Sequence, residues 1–212
     1  MKFSGKGLIS LVFIFLSLPV LAQIDYPTFK KRIDINPADS QKLSLKIYNL
    51  NYIYNTEYFT NIPLSGTLFG YQLIPEIQYQ PTSRFVLKAG VYVQKEFGRK
   101  EYTSFLPTFS VKYKAKNSSY ILGTLEGNLN HGFMEPIYDY KLLLNERLEN
   151  GFQFFVDTKS YDHDFYINWR KAIHLGDPYK EEFDIGYIAN VKLLTNDNVQ
   201  VKIPIQMLYS HK

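Results

Sequence analysis

Apolar and polar side chains alternate along most of the chain, and the alternation is clearest between residues 68 and 94. Two alternating runs, 68–80 and 85–94, are separated by the polar break Pro81-Thr82-Ser83-Arg84. Successive side chains of a strand point to opposite faces of the sheet, so each run has one apolar face and one polar face. Two such runs joined by a short polar break predict a β-hairpin. The pattern therefore predicts an all-β, antiparallel fold.

The same period of two recurs to the end of the chain and predicts nine strands. The apolar parity changes near Asn49, which predicts a bulge in the first strand. Pro75, Pro107 and Pro204 fall inside runs and predict bulges or strand ends, because proline cannot donate a ladder hydrogen bond. Ile33–Asn36 also alternates and predicts a short additional strand. The nine predicted strands are Leu43–Tyr54, 68–80, 85–96, Ser104–Tyr113, Tyr120–Asn128, Leu148–Val156, Tyr161–Arg170, Phe183–Leu193 and Val199–Tyr209.

The connections between the predicted strands alternate between short and mostly longer segments. This alternation is typical of an outer-membrane barrel with short periplasmic turns and longer external loops. Strands of about nine to thirteen residues also fit a tilted crossing of the bilayer. A soluble antiparallel sandwich is the alternative, because its inward faces alternate as well. The short breaks are 81–84, 114–119, 157–160 and 195–198, and the others are 55–67, 98–103, 129–147 and 171–182.

Aromatic residues are abundant, with 18 Tyr, 16 Phe and one Trp. Many of them fall at the ends of predicted strands, where amphipathic rings suit the two water interfaces of a membrane. The predicted interface aromatics are Phe69, Tyr79, Phe85, Phe97, Phe105, Tyr113, Tyr120, Tyr161, Trp169 and Phe183.

The polar positions of the strands carry both charge signs and many amides. Such a lining suits a water-filled pore or a packed polar interior, and it lacks the ring of one charge sign expected of a strongly ion-selective channel. The predicted lumen-lining residues are Gln72, Glu76, Gln78, Lys88, Gln94, Lys112, Gln153, Asp162, Asp164, Asn168, Arg170, Asp184, Asn190, Lys192, Gln200, Lys202 and Gln206.

Residues 1–22 have the features of a secretory signal peptide: two lysines, an apolar run, and Val20-Leu21-Ala22 before Gln23. Residues 23–42 form a polar leader. The chain has a formal charge of +4, and two of its lysines but no acids lie within 1–22, so the remainder carries +2. This balance does not predict a nucleic-acid partner. The absence of Cys excludes disulfides and a lipid anchor at the cleavage site.

With its signal peptide, hairpins and the phrases Leu125-Glu126-Gly127-Asn128 and Arg147-Leu148-Glu149-Asn150-Gly151, the chain resembles porin-like outer-membrane β-barrel proteins of the Bacteroidota type. The resemblance implies an outer-membrane location and supplies no catalytic residue. Bacterial barrels have even strand counts, and related barrels typically end on an aromatic residue. Nine strands and a final Lys212 therefore predict that residues 43–212 are the N-terminal part of a larger barrel.

Two groups of polar residues are candidates for chemistry. His131 and Glu135 are four residues apart in the longest connection, but a solvated loop is the favoured interpretation, because Gly132 and Pro136 interrupt a helical turn. Ser160 and His163 could form a hydrolase pair, but alternation places them on opposite faces. Neither a catalytic residue nor a metal or other cofactor is therefore expected.

The same connection is also expected to contain a helix. Residues 137–148 include helix-forming side chains, and one hypothesis is that they fold into the barrel and narrow its lumen.

The function that these features favour is passive diffusion or uptake of small solutes by a porin-like barrel surrounded by outer-membrane lipid. A structural or adhesive barrel with partner-binding loops is one alternative, and a soluble periplasmic sandwich that binds a ligand is another. An outer-membrane lipid hydrolase is the enzymatic alternative to the prediction of a non-enzymatic protein.

Overall fold

The computed structural model describes residues 33–57, 66–126, 131–134, 137, 142–195 and 199–212. They form a single antiparallel sheet of nine strands in sequence order, whose two edges are the first and last strands. The sheet is open, as in an incomplete barrel. No helix within the described ranges has the length and apolarity to cross a membrane. The strands are β1 Lys42–Thr56, β2 Gly66–Thr82, β3 Phe85–Glu96, β4 Ser104–Lys114, β5 Ser118–Thr124, β6 Asn150–Asp157, β7 Tyr161–Lys171, β8 Glu182–Thr195 and β9 Gln200–His211.

The period of two along each strand separates the sheet into a polar face and an apolar face. Between β2 and β3, for example, Gln72 pairs with Gln94 on the polar face and Leu73 pairs with Val93 on the apolar face. Large apolar side chains stay exposed on the apolar face, including Ile53 at 71%. The predicted all-β antiparallel fold is therefore confirmed, and one sheet replaces the two sheets that a sandwich would need.

The connections also divide as predicted between the two ends of the sheet. Residues 83–84, 115–117, 158–160 and 196–199 link strands at one end, which we call the turn end. Residues 57–65, 97–103, 125–149 and 172–181 link strands at the opposite end, which we call the loop end. The long connection 125–149 therefore starts and finishes at the loop end.

The bulge predicted near Asn49 is wrong. The pairing of β1 with β2 runs without a shift from Lys42 opposite Gln80 to Thr56 opposite Gly66. The parity changes because Asn49 lies on the apolar face, while tyrosines of β1 lie on the polar face. Register shifts occur instead near Thr82 in β2, near Lys171 in β7 and near Leu194 in β8.

The three strand prolines are accommodated without bulges at their own positions. Pro75 pairs in register with Ile47 of β1. On its other side the carbonyl oxygen of Pro75 approaches Gly90 so closely that a Cβ there would lie 2.1 Å from it. Pro107 pairs with Val91, and Pro204 pairs with Asn190 on the edge strand β9 without a shift. An edge strand tolerates proline because one row of its N–H groups has no ladder partner.

Residues 33–36 of the leader lie against the polar face, and the strand predicted there is absent. A 3₁₀ helix, Pro37–Asp39, follows instead, and the Asn36 side chain accepts a hydrogen bond from Ala38 N at 3.1 Å. Gln78 and Gln80 of β2 donate to the backbone carbonyls of Asp34 and Asn36 at 3.4 and 2.7 Å. These side-chain bonds replace the strand ladder. The predicted signal peptide lies outside the described residues.

The prediction places the end of the fifth strand too late and the start of the sixth strand too early. The fifth ends at Thr124, so Leu125 and Glu126 lie outside it, and residues 127–128 are not described. Gly123 has a left-handed φ of 100°. Beyond it Leu125 and Glu126 are both buried, and Glu126 binds Lys112 of the polar face. The sixth strand begins at Asn150.

Candidate functional site

Charged side chains on the polar face are buried in ion pairs. Lys88 Nζ lies 2.8 Å from Glu76 Oε2, and Thr108 donates to the other oxygen of Glu76 at 3.0 Å. Lys112 Nζ lies 2.6 Å from Glu126 and donates to the leader carbonyl of Ile33 at 2.8 Å. Removing one partner of such a pair leaves an unpaired charge buried away from water, which destabilises the folded state. This part of the interior is therefore packed with its own polar contacts.

All seventeen residues predicted to line a lumen occur on the polar face, with different exposure. Gln200 and Lys202 are exposed at the turn end. The half-buried ones are Asp162, Asp164, Arg170, Asp184, Asn190, Lys192 and Gln206, and the buried ones are Gln72, Glu76, Gln78, Lys88, Gln94, Lys112, Gln153 and Asn168. Whether any of them borders a conducting path stays a prediction.

The long connection between β5 and β6 lies over the polar face in two places. Residues 131–134, which we call the clamp segment, lie against β6 to β9. Residues 142–147, which we call the cover segment, include the single helical turn α1, Leu142–Asn145, and lie against β2 and β3. Gln72 and Gln94 donate to the cover-segment carbonyls of Leu143 and Leu144 at 2.8 and 2.9 Å. Within the described residues of 137–148 the expected helix is present as one turn, and it packs onto the polar face.

The clamp segment is held by its buried imidazole. His131 Nε2 lies 2.6 Å from Glu149 Oε2, and Nδ1 lies 3.0 Å from Asp164 Oδ2. The ring stacks on Tyr166 with centroids 3.8 Å apart, and Gln153 donates to Asp164 at 3.0 Å. Burial lowers the pKa of His131, but the charge of Glu149 and the hydrogen bonds that the ring donates to both carboxylates outweigh burial and raise this pKa to about 10. His131 is thus an imidazolium that donates to two carboxylates.

The expectation that His131 is solvated within the connection is wrong. The side chain is buried, and its backbone has a left-handed φ of 50°. Glu135 lies outside the described residues. Because both ring nitrogens donate, neither can accept a proton or bind a metal in this state. No group of three His, Asp or Glu with metal-binding geometry occurs among the residues that the structure describes.

The structure does not bring Ser160 and His163 together. Ser160 lies in an exposed turn, where its backbone carbonyl accepts a hydrogen bond from Lys192 N at 2.8 Å. His163 lies on the apolar face, edge-on to Phe154 and Tyr187 at centroid distances of 5.2 and 5.8 Å. These contacts are those of a packed ring rather than of a base beside a nucleophile.

A second polar cluster lies beneath the cover segment. Tyr52 donates to Glu96 Oε1 at 2.9 Å, and Gln94 donates to the same oxygen at 2.8 Å. Tyr92 donates to Gln94 and lies within electrostatic range of Arg147, Tyr48 and Glu96. The described part of the chain contains seven sealed side-chain atoms without a hydrogen-bond partner, and five of them belong to this cluster: Tyr48 Oη, Gln72 Oε1, Glu96 Oε2 and both Nε and Nη2 of Arg147.

Sequence reasoning missed Tyr48, Tyr52, Tyr92 and Arg147. The alternation could have indicated the tyrosines, because each occupies an even-numbered position of its strand, on the polar face. No pattern in the sequence indicates that Arg147 would reach back over β1.

A cavity of about 860 Å³ borders the polar face toward the turn end. Its walls include Lys112, Lys192 and Lys202, the carboxylates of Asp162 and Asp164, and residues 33–36 of the leader. Lys192 is paired with Asp157 at 2.7 Å and Asp162 at 3.3 Å. The lining therefore combines both charge signs, as the sequence indicates.

The predicted interface aromatics form stacks near the two ends of the apolar face. At the turn end Tyr120 lies between Tyr113 and Phe154, with ring centroids 6.4 and 4.8 Å away. At the loop end Trp169 stacks on Phe183 at 5.3 Å. Phe97 follows β3 directly and packs edge-on against Phe69. The others, Tyr79, Phe85, Phe105 and Tyr161, lie on the same face. Contact of these rings with a membrane interface stays a prediction.

A sheet of antiparallel strands with one exposed apolar face, one packed polar face and connections alternating in length is the arrangement of outer-membrane β-barrel proteins. A family model described as lipid A 3'-O-deacylase-type matches residues 35–212, which include all nine strands. The chain therefore belongs to the lipid A 3'-O-deacylase-type family. No curated protein and no solved structure matches it. Membership supports the resemblance to Bacteroidota outer-membrane proteins, but not its porin-like part.

Proposed function

We propose that the protein hydrolyses an acyl ester of lipid A in the outer membrane. The observation that carries the proposal is the family match over residues 35–212, because it extends across the whole sheet. In such a reaction water adds to the ester carbonyl, the bond to the sugar oxygen breaks, and a free fatty acid and a sugar hydroxyl result. The family description favours this enzymatic alternative over the sequence-based prediction of a non-enzymatic protein, and lipid A over small solutes as the partner.

The apolar face supports a substrate that arrives through the membrane. Exposed apolar side chains occur along β1, β4 and β9, including Leu45, Phe109 and Ile205. In water a continuous apolar patch along several strands would drive association of the protein with other molecules, whereas in a membrane acyl chains can cover it. Outer-membrane lipid, the partner expected from the sequence, would thus lie beside the protein, and lipid A is such a lipid.

Porin-like diffusion of small solutes has less support. Residues 33–36, the clamp segment and the cover segment lie over the polar face, and Lys88 and Lys112 are buried in ion pairs there. An open pore needs a hydrated lining that stays accessible from both ends. A structural or adhesive barrel with a closed interior is compatible with this packing, but the family description favours a catalyst.

His131 is not the base of the proposed reaction in the state described. Its pKa of about 10 keeps it protonated at neutral pH, and both nitrogens already donate to carboxylates. A general base must be able to accept a proton near the working pH. We therefore assign His131 to holding the clamp segment and assign no residue to the chemical step.

The test uses the chain refolded in detergent micelles, with purified lipid A as substrate and mass spectrometry of the products. We expect a mass loss of one ester-linked acyl chain and release of the matching fatty acid, while heat-unfolded protein gives neither. Liposome swelling with the same preparation tests the porin alternative. Unchanged lipid A in the presence of an equal amount of folded protein would refute the hydrolase proposal, and swelling in that case would favour diffusion.

A further inference from the structure

The cluster beneath the cover segment points to a binding site that the proposed hydrolysis does not require. We propose that Arg147 forms, with Tyr48, a latent site for an oxyanion such as a phosphate or carboxylate group. Nε and Nη2 of Arg147 are sealed from solvent and have no hydrogen-bond partner in the described ranges. Buried polar atoms nearly always have partners, so two on one guanidinium indicate that a group with acceptor oxygens belongs there.

The geometry of those two atoms specifies the ligand's chemistry. Nε and Nη2 form the side-on edge of the guanidinium, which matches two oxygens of a carboxylate or phosphate. The same edge of Arg170 shows the match within this protein, since it donates to Glu146 Oε2 and Oε1 at 2.8 and 2.6 Å. Glu146 and Arg147 are adjacent in the chain. One of these two arginines thus has its carboxylate, and the other lacks an equivalent anion.

The surroundings of Arg147 favour an oxyanion that also carries a hydroxyl group. The guanidinium lies over the ring of Tyr48, 5.5 Å from its centroid, and the Tyr48 hydroxyl has no partner in the described residues. Gln72 Oε1 and Glu96 Oε2 are sealed acceptors in the same cluster and require a donor. A phosphorylated sugar has both phosphate oxygens for Arg147 and hydroxyls for these acceptors. The chemistry shared by candidate ligands is therefore an oxyanion with a neighbouring hydroxyl.

The cover segment controls access to this site. It is tied to the strands by the hydrogen bonds from Gln72 and Gln94 to Leu143 and Leu144. With these bonds in place Nε and Nη2 of Arg147 are sealed, so an oxyanion can reach them only after the turn Leu142–Asn145 lifts from β2 and β3. Binding should therefore be slower than diffusion would allow.

The experiment measures binding of three probes to the full chain refolded in detergent: inorganic phosphate, glucose 1-phosphate and acetate, by ³¹P line broadening for the first two and competition for the third. We expect Arg147→Gln to weaken binding at least tenfold. Arg147→Lys should weaken it too, because a lysine keeps the charge but lacks the two adjacent N–H donors of the guanidinium edge. Arg170→Gln is the matched control and should bind like the wild type, since that arginine faces Glu146. Tighter binding of glucose 1-phosphate than of free phosphate would support contacts between the sugar hydroxyls and the acceptors Gln72 Oε1 and Glu96 Oε2.

Three results would overturn the proposal. These are equal affinity in Arg147→Gln and wild type, an equal loss in Arg170→Gln, or no binding of any probe by folded wild type. Heat-modifiable gel mobility reports whether each variant folds. Should Arg147→Gln fail to fold, Arg147→Lys and Tyr48→Phe decide: both must weaken binding, and unchanged affinity in both contradicts the site.

Discussion

The clamp segment and the cover segment belong to one connection, yet they meet the polar face in opposite ways. In the clamp segment His131 satisfies two carboxylates at once, and Phe133 packs into an apolar cluster with Ile121, Tyr166 and Ile188. In the cover segment Arg147 lies over Tyr48 with its hydrogen-bonding edge unused. The clamp segment thus has both nitrogens of its buried imidazole paired, whereas the cover segment has two sealed guanidinium atoms without partners among the described residues.

This difference predicts that the two segments differ in how strongly they are held on the sheet. A sealed polar atom without a partner costs roughly 1–3 kcal/mol, whereas a paired one contributes favourably. The clamp segment should therefore hold the connection in place. The cover segment should need less free energy to lift from the sheet. Elements that move in binding are commonly drawn from such weakly held regions.

The largest expected effect is a loss of stability as pH rises. The folded state holds the proton of His131 more tightly than the unfolded state does, because its pKa is raised from 6.5 to about 10. The stabilisation is therefore complete below about pH 6.5 and is lost as pH rises toward 10. The loss should be on the order of 5 kcal/mol. Urea unfolding in detergent between pH 6 and 10 measures it.

The control for this titration is His131→Gln, which has no proton to lose at that position. The fall in stability over this pH range should be much smaller in the variant. A variant that loses as much stability as the wild type would show that other groups cause the pH dependence.

Removal of the imidazolium at neutral pH should have the next largest effect. His131→Gln leaves Glu149 and Asp164 together without their shared cation, and the loss of one partner from a buried ion pair costs about 3–5 kcal/mol. The matched control is His163→Phe on the apolar face, where the ring only packs against aromatics and the cost should stay below about 1 kcal/mol. Similar costs in both variants, measured by urea unfolding, would remove the special role of the clamp segment.

A smaller effect is expected in the cover segment. Leu144 is buried, and Leu144→Ala should cost about 2 kcal/mol, at the low end for such truncations, because the segment around it can relax. Leu143→Ala, at a half-buried position of the same turn, should cost less. Proteolysis of folded protein should also become faster at this connection in Leu144→Ala. A cost above that of His131→Gln would reverse the ranking of the two segments.

The sheet was predictable from the sequence because the period of two is a local signal that burial reinforces on every strand. Strands such as Tyr161–Lys171 begin where the pattern begins, and the order of short and long connections follows directly. The parity of β1 misled the prediction, since Tyr48 and Tyr52 lie on the polar face, where the Tyr52 hydroxyl donates to Glu96.

The site was less predictable because it depends on how a connection folds back over the sheet. His131 was expected in solvent, and its position depends on Glu149 and Asp164, which lie 18 and 33 residues away in sequence. Arg147 likewise meets Tyr48 across a long sequence separation. Such contacts leave no periodic pattern in the sequence, and neither does the match to the lipid A 3'-O-deacylase-type family.

Contact between the apolar face and acyl chains is the central claim, and Trp169 tests it most directly. It is the only tryptophan and lies exposed on that face near the loop end. The chain is folded into vesicles whose phospholipids carry bromine at defined depths, and tryptophan fluorescence is recorded. We predict strong quenching, greatest for bromines near the headgroups. Fluorescence that is unaffected by bromine at every depth, from protein shown to be folded, would contradict the account.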